Sequence, residues 1–90
     1  MSDPQPELWG PILRAAVRTI LMDLMAGRTG RGPITRRAEL EAGCAPRTVT
    51  NLLHELGRLG VVDRADRGKL RLTVLGRRWA LEYLATTDAP

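Results

Sequence analysis

The stretch PRTVTNLLHELGRLG, residues 46–60, has the features of an amphipathic helix with a clear beginning and end. Pro46 suits the first turn of a helix, where its missing N–H costs no hydrogen bond, and Gly60 suits the position after the last turn. Between them, apolar residues recur at helical spacing: Val49, Leu52, Leu53, Leu56 and Leu59. We therefore predict a helix over about 46–59 that buries this apolar stripe.

The opposite side of this helix is polar and partly basic. Arg47, Asn51, His54 and Arg58 fall within roughly 60° of one another when each residue turns by about 100°. Arginine can pair with the major-groove edge of guanine, and asparagine with that of adenine. This face therefore suits the reading of DNA, although a polar face that contacts only solvent is the common alternative.

A shorter helix is expected just before it. Thr35 can cap a helix over about 36–42, preceded by a very short extended piece at Pro33 and Ile34 and ended by Gly43. The apolar residues that this helix is expected to bury are Ala38, Leu40 and Ala42. Two short helices joined by a tight turn that contains glycine predict a helix-turn-helix.

Downstream, the pattern changes to short strands. The runs 61–65 and 69–73 are separated by Asp-Arg-Gly, and the second run alternates apolar and polar residues, which predicts a β-hairpin. Residues 74–85 predict a last helix with two apolar faces, one carrying Leu75, Trp79 and Tyr83 and the other Val74, Leu81, Leu84 and Ala85. The order predicts a mainly α (α+β) winged helix-turn-helix, with a three-helix core, a β-hairpin wing and a C-terminal helix.

The first helix, between Pro11 and Gly27, is also apolar on two sides. One stripe is expected in the core: Leu13, Val17, Ile20, Leu21 and Leu24. The second stripe lies on roughly the opposite side: Ile12, Ala15, Thr19, Met22 and Ala26. A helix that is apolar on two faces needs two neighbours, and either a second subunit or the C-terminal helix of the same chain could cover the second stripe.

Length and charge set the class of protein. The chain has 90 residues, which predicts one domain over 10–86, with a flexible N-terminal arm over 1–9 and a tail over 87–90. It carries 14 Lys+Arg against 10 Asp+Glu, for a net charge of +4. Residues 1–26 have a net charge of −1 and residues 27–90 a net charge of +5, so the basic part begins after the first helix. This distribution favours a polyanionic partner.

The sequence lacks the residues that several classes of protein function require. A single Cys44 and a single His54 cannot form a structural zinc site or an internal disulfide, and no nucleophile–base pair or phosphate-binding glycine loop occurs. No segment approaches the roughly 20 apolar residues of a membrane helix, and the N-terminus is unlike a secretory signal. We expect no enzyme activity, no cofactor, no metal and no membrane contact, and a cytoplasmic, nucleoid-associated location in a prokaryotic or archaeal host.

These patterns give a set of candidate DNA contacts. The predicted base-reading residues lie on the helix over 46–59: Arg47, Thr48, Thr50, Asn51 and His54. The predicted phosphate and wing contacts are Arg36, Arg37, Arg58, Arg64, Arg67, Lys69 and Arg71. Asp63 and Asp66 are expected to pair with Arg64 or Arg67 and orient them, while charge on the hairpin could also simply protect an edge strand. Cys44, in the turn between the helices, is expected to be a small packed residue.

The sequence resembles winged-helix transcription regulators of the MarR and PadR type. The run from Val49 to Arg64 is similar to their recognition helix and first wing strand, and Asp66-Arg67 is similar to their wing motif. The run from Leu70 to Arg77 is similar to their Leu-Thr-x-x-Gly-Arg passage from the second wing strand into the next helix. The resemblance covers about residues 11–85, but the chain is much shorter than a typical MarR protein and lacks its long flanking helices. In size it is more similar to small archaeal and viral winged-helix proteins.

The resemblance implies a homodimer that binds near-palindromic duplex DNA, often as a repressor, with dimer contacts from the first and last helices. The residues expected at that interface are Ile12, Ala15, Thr19, Met22, Leu81 and Leu84. The expected function is therefore sequence-specific binding of double-stranded DNA by a small dimeric regulator, with residues 46–59 in the major groove and the wing, 61–73, on the minor groove or phosphates. Two alternatives are a protein-interaction module that uses Trp79 and Tyr83 as an exposed anchor, and a non-specific architectural DNA binder.

Overall fold

A computed structural model describes residues 9–64 and 68–87 of the chain. This part has a helix-rich α+β fold, and its elements follow the predicted order: α1 (Pro11–Met25), α2 (Arg31–Ala42), α3 (Pro46–Arg58), β1 (Val62–Arg64), β2 (Leu70–Leu72) and α4 (Val74–Thr87). The two strands pair antiparallel, with Asp63 directly opposite Arg71. None of the described helices combines the length and the apolar character needed to cross a membrane.

The core is built around α1 and the apolar stripe of α3. On α1, Val17, Ile20 and Leu21 are completely buried, as predicted, and Ala16 joins them. All five members of the α3 stripe are buried, which confirms the helix and its orientation. Burial of each large side chain contributes roughly 1.5–3 kcal/mol, so the stripe fixes α3 firmly and leaves its opposite face in solvent.

The second helix begins earlier than predicted. It starts at Arg31 rather than Arg36, so Pro33 and Ile34 are helical and not extended. Pro33 fits because the first turn of a helix has backbone N–H groups without an intrahelical partner, and a proline there removes nothing. Thr35 does not cap the helix, since its hydroxyl donates to the carbonyl oxygen of Gly32 at 2.9 Å.

The earlier start of α2 changes which of its residues are buried. Ile34 is only 1% exposed and Ala38 is completely buried, with Ala42 packed beside them. These positions are four residues apart and share one face, which directs Leu40 away from the core. Leu40 is 79% exposed, so the prediction that it is a core residue was wrong. Gly43 ends the helix at a φ of 68°, as predicted.

The last helix is capped by the residue that follows the hairpin. The hydroxyl of Thr73 accepts a hydrogen bond from the N–H of Gly76 at 2.8 Å and donates to the carbonyl oxygen of Gly60. On α4, Ala80 and Tyr83 are buried and Trp79 is half-buried, but Leu75 is exposed, so the predicted face of Leu75, Trp79 and Tyr83 is buried only in part. Leu75 instead joins a second, exposed apolar surface with Val74 and Leu81.

An aromatic cluster connects the start of the described chain to α4. Trp79 and Tyr83 stack with ring centroids 5.0 Å apart, and Trp9 packs edge-on against both at 6.0 Å. Trp9 therefore belongs to the packed structure rather than to the arm predicted over 1–9; the other arm residues, 1–8, and residues 88–90 of the tail lie outside the described residues. Because Tyr83 is only 6% exposed, Trp79 and Tyr83 do not form the exposed anchor considered above.

Candidate nucleic-acid interface

The outward face of α3 carries the predicted polar residues. Arg47, Asn51, His54 and Arg58 are all exposed along one side of the helix. The two flanking threonines that were also predicted to read bases, Thr48 and Thr50, are both half-buried. The Thr50 hydroxyl donates to the carbonyl oxygen of Pro46 at 3.1 Å. The exposed stripe and the buried stripe therefore lie on opposite sides of α3, as the periodicity predicts.

Three residues of this face keep their hydrogen-bonding groups available. Within the described part of the chain, Arg47, Asn51 and His54 form no side-chain hydrogen bond or ion pair. Arginine offers several N–H donors in a fixed plane, and asparagine offers both a donor and an acceptor. A ligand at this face would meet side chains that need not first break contacts with the described residues.

Arg58 differs from these three because it is already paired. Its Nε lies 3.2 Å from one carboxylate oxygen of Glu55 and its Nη2 lies 2.5 Å from the other, one turn earlier on α3. The hydrogen bond from Arg58 holds the pKa of the Glu55 carboxyl below its usual value, and the same bond raises the pKa of Arg58. A phosphate at this end of α3 would have to compete with Glu55 for the guanidinium group.

A cleft of about 550 Å³ separates the second half of α3 from the hairpin. Its apolar lining comes from Leu53, Val62 and Leu70, and its basic side chains are Arg31, His54, Arg58 and Arg64, with Glu55 and Asp63 also at the lining. We call this the α3–β1 cleft. The sequence predicts a loop over 27–32, in which Arg28 and Arg31 are only mobile candidate contacts, whereas Arg31 is the first residue of α2.

The hairpin contributes basic residues of two kinds. Arg64 and Lys69 are exposed and make no ion pair with the described residues, whereas Arg71 donates to Asp63 at 3.2 Å across the strands. Asp63 was expected to pair with Arg64 or Arg67, but the register places Arg71 directly opposite it. Asp66 and Arg67, to which the sequence assigns roles at the turn, lie outside the described residues.

The two arginines predicted at the start of α2 are inside the helix and have different surroundings. Arg36 is exposed and has no ion pair within the described part. Arg37 lies with its Nε 3.4 Å from a carboxylate oxygen of Asp23 on α1. Arg36 is therefore available to a polyanion, and Arg37 is engaged by an acidic group of its own chain.

The residues predicted for a dimer interface are only partly on the surface. Ile12, Met22 and Leu81 are exposed, and Ala15 and Leu84 are half-buried. Thr19 is 5% exposed, and its hydroxyl is 2.7 Å from a carboxylate oxygen of Glu41 on α2, so it belongs to the packing of the single chain. α4 does not cover Ile12 or Met22, which leaves that part of the second α1 stripe open.

The remaining candidates for chemistry are few among the described residues. Cys44 is half-buried and packs against the core, in line with its expected role. No group of three or more His, Cys, Asp or Glu in residues 9–64 and 68–87 is placed to hold a metal ion. No family model, curated protein or solved structure matched the chain when it was compared with known proteins.

Proposed function

We propose that this chain is a winged helix-turn-helix protein that binds double-stranded DNA in a sequence-specific manner, as a small homodimeric transcription regulator, most simply a repressor. The observation that carries the proposal is the outward face of α3, where Arg47 and Asn51 are exposed and unengaged by described residues while the opposite stripe is buried. A helix anchored in this way can enter a major groove without disturbing the core.

Base reading falls to the first half of α3. In a helix-turn-helix, the residues near the N-terminus of the second helix reach the base edges. Arg47 would pair with guanine and Asn51 with adenine, and each such bidentate contact discriminates against a wrong base by about 1–3 kcal/mol. Thr48, Thr50 and His54 flank these two residues and would add further contacts to the bases.

Phosphate binding falls to the basic residues that surround α3. With α3 in the major groove, the α3–β1 cleft would receive the DNA backbone, and its basic lining includes Arg31, Arg58 and Arg64. Lys69 and Arg71 extend the basic surface along β2, and Arg36 extends it along α2. The hairpin would then lie against phosphates or the minor groove.

A second copy of the chain is the proposed occupant of the exposed apolar surface of α4. Val74, Leu75 and Leu81 lie there beside Arg77 and Arg78, and Glu82 on the same helix could pair with these arginines across an antiparallel contact. Leu81→Glu should convert the dimer to a monomer in sedimentation and weaken binding to a two-half-site duplex. A wild-type monomer at concentrations that saturate DNA would contradict the dimer.

The test of DNA binding starts from selection of bound sequences out of a random duplex pool. Arg47→Ala and Asn51→Ala should each weaken binding to the selected duplex by about tenfold to a hundredfold and relax the base preference. Arg14→Ala removes an equal charge from α1, away from both the DNA face and the proposed dimer surface, and should leave the base preference unchanged. The logarithm of the association constant should fall linearly with that of salt concentration, by about 0.9 per neutralised phosphate. Absent or salt-independent binding would overturn the proposal.

The exposed α4 surface also favours a second candidate function, docking of a different protein. An apolar patch formed by Val74, Leu75 and Leu81 is the kind of surface that such a partner would cover. Charge reversal of Arg47 and Arg58 separates the two functions, because an adaptor would keep its partner and have no DNA affinity to lose. Equal affinity for unrelated duplexes would instead indicate a non-specific architectural binder.

A further inference from the structure

A buried carboxylate lies near the end of α1, outside the interface described above. The Asp23 side chain carries a charge and yet is only 4% exposed, among buried apolar residues of α1. Burial of an unpaired carboxylate is costly, so its surroundings must compensate its charge. Two guanidinium groups lie beside it: Nη1 of Arg28 donates to Oδ1 at 2.7 Å, and Nε of Arg37 lies 3.4 Å from Oδ2, which accepts no hydrogen bond from the described residues.

The contact with Arg28 closes the turn after α1. The backbone N–H of Arg28 donates to the carbonyl oxygen of Asp23 at 3.0 Å, in addition to the bond between their side chains. Gly27, between them, has a φ of 87°, a left-handed conformation that glycine adopts without strain. Asp23 therefore holds Arg28 through both its backbone and its side chain, which fixes the direction in which the chain leaves the turn.

The residues that follow this turn hold the hairpin. The carbonyl oxygen of Thr29 accepts a hydrogen bond from the N–H of Leu70 at 2.7 Å, and Gly30 forms an antiparallel bridge with Lys69. β2 is thus bonded to β1 and also to residues 29–30. A two-stranded hairpin this short is marginal by itself, so the second set of contacts matters for its position.

We propose that Asp23 is a positioning residue for the contact between the hairpin and DNA. Through Arg28, its carboxylate sets residues 29–30, and these hold β2 so that Lys69 faces the phosphates beside α3. The inference rests on the proposed DNA binding and adds a residue that would touch no DNA itself. It also explains why a carboxylate is buried at a position where an apolar residue would serve the core.

The chain offers a matched control for this role. Glu41 also bonds α1 to α2, through the hydroxyl of Thr19 at 2.7 Å, but no side-chain hydrogen bond or ion pair joins it to the described residues 26–30. Asp23→Asn and Glu41→Gln each replace a carboxylate by an amide of the same shape. Glu41 is exposed whereas Asp23 is buried, so exchange at a core amide serves as the reference for a general loss of stability.

The first measurement is amide hydrogen exchange, which needs no DNA. In Asp23→Asn, exchange at the Leu70 amide should become roughly tenfold faster or more, with little change at the core amide of Ile20. Glu41→Gln should leave Leu70 as in the wild type. Arg28→Ala removes the same ion pair by changing its exposed partner, and it replaces Asp23→Asn in this measurement if Asp23→Asn does not fold. Exchange at Leu70 that is unchanged, or that rises only together with Ile20, would overturn the inference.

The second measurement is a double-mutant cycle on the selected duplex. If Asp23 acts through Lys69, Asp23→Asn should weaken binding severalfold in the wild-type background and have almost no effect in Lys69→Ala. Independent, additive effects would overturn the inference while leaving DNA binding intact. Failure of the wild type to bind any duplex would instead remove the proposed function, and the positioning role with it.

Discussion

Gly76 lies so close to Val61 that a Cβ atom at position 76 would be 1.9 Å from the Val61 carbonyl oxygen. The same backbone approach includes Thr73, whose N–H donates to that carbonyl at 3.1 Å. The first turn of α4 is thus seated directly on the chain that leads into β1. No side chain larger than hydrogen fits between these two backbones.

Gly76→Ala should therefore destabilise the protein, although alanine is normally the better helix former. The clash is with backbone atoms, so α4 must shift, and the expected loss is about 1–3 kcal/mol or more in the free energy of unfolding. Gly57→Ala is the matched control on α3: its nearest atom beyond its neighbours is 3.8 Å away, and a gain of roughly 0.5–1 kcal/mol is expected. Denaturant unfolding measures the change in the free energy of unfolding for each variant. Changes of the same sign in the two variants would contradict this account.

Much of the fold follows from periodicity alone. The α3 stripe and the alternating hairpin are strong local patterns, because each repeats the geometry of its own element. The start of α2 escaped prediction because Gly-Arg-Gly-Pro resembles a loop, while a proline in a first turn is fully compatible with a helix. The approach of Gly76 to Val61 joins residues far apart in the sequence, and no local pattern encodes it.

Ile34 and Leu40 should respond in opposite ways to the loss of their apolar side chains. Ile34 is a core residue that was predicted to lie outside any helix, and Ile34→Ala should cost about 2–5 kcal/mol. Leu40→Gln should change the stability by no more than about 0.5 kcal/mol, because its side chain lies in solvent. Thermal unfolding of the two variants compares them directly, and a large loss for Leu40→Gln would show that its side chain is buried in solution.

The candidate site was predictable where it depends on one helix and not where it depends on tertiary contacts. The exposure of Arg47 and Asn51 follows from the spacing of the buried stripe. The engagement of Arg37 by Asp23 joins two helices, and that of Arg71 by Asp63 needs the strand register. Charge counting treats all of these arginines as equivalent, whereas their partners make some of them available and others not.

Glu55→Gln should strengthen DNA binding. The carboxylate of Glu55 occupies Arg58 and would repel phosphates in the α3–β1 cleft, and an ion pair this exposed to solvent contributes little to stability. Its removal should tighten binding by up to roughly fivefold, with a steeper salt dependence as Arg58 gains a phosphate. Fluorescence anisotropy at several salt concentrations measures both quantities. Glu41→Gln, which makes the same change of charge on α2, should have a smaller effect. Weaker binding by Glu55→Gln would contradict the role assigned to Glu55.

Tyr83 should ionise at higher pH in the folded protein than in the unfolded chain. Burial against the core raises the pKa of its phenol, and the positive charge of Arg14 opposes this rise in part. Since the neutral form is favoured in the folded state, stability is retained below the ordinary tyrosine pKa of about 10 and is lost as the pH rises through the higher folded value. Tyr83 is the only tyrosine, so the ultraviolet absorbance of tyrosinate follows it alone.

Arg14→Gln provides the sign test for this titration. Loss of the positive charge removes the opposing contribution, so the midpoint of Tyr83 ionisation should rise further, whereas in denaturant both proteins should titrate near the ordinary value. Tyr83→Phe keeps the aromatic ring beside Trp79 and should remove the part of the alkaline loss of stability that the phenol causes. A midpoint that is the same in the folded and the denatured protein would mean that the phenol is reached by water, and that Trp9 does not cover this end of α4 in solution.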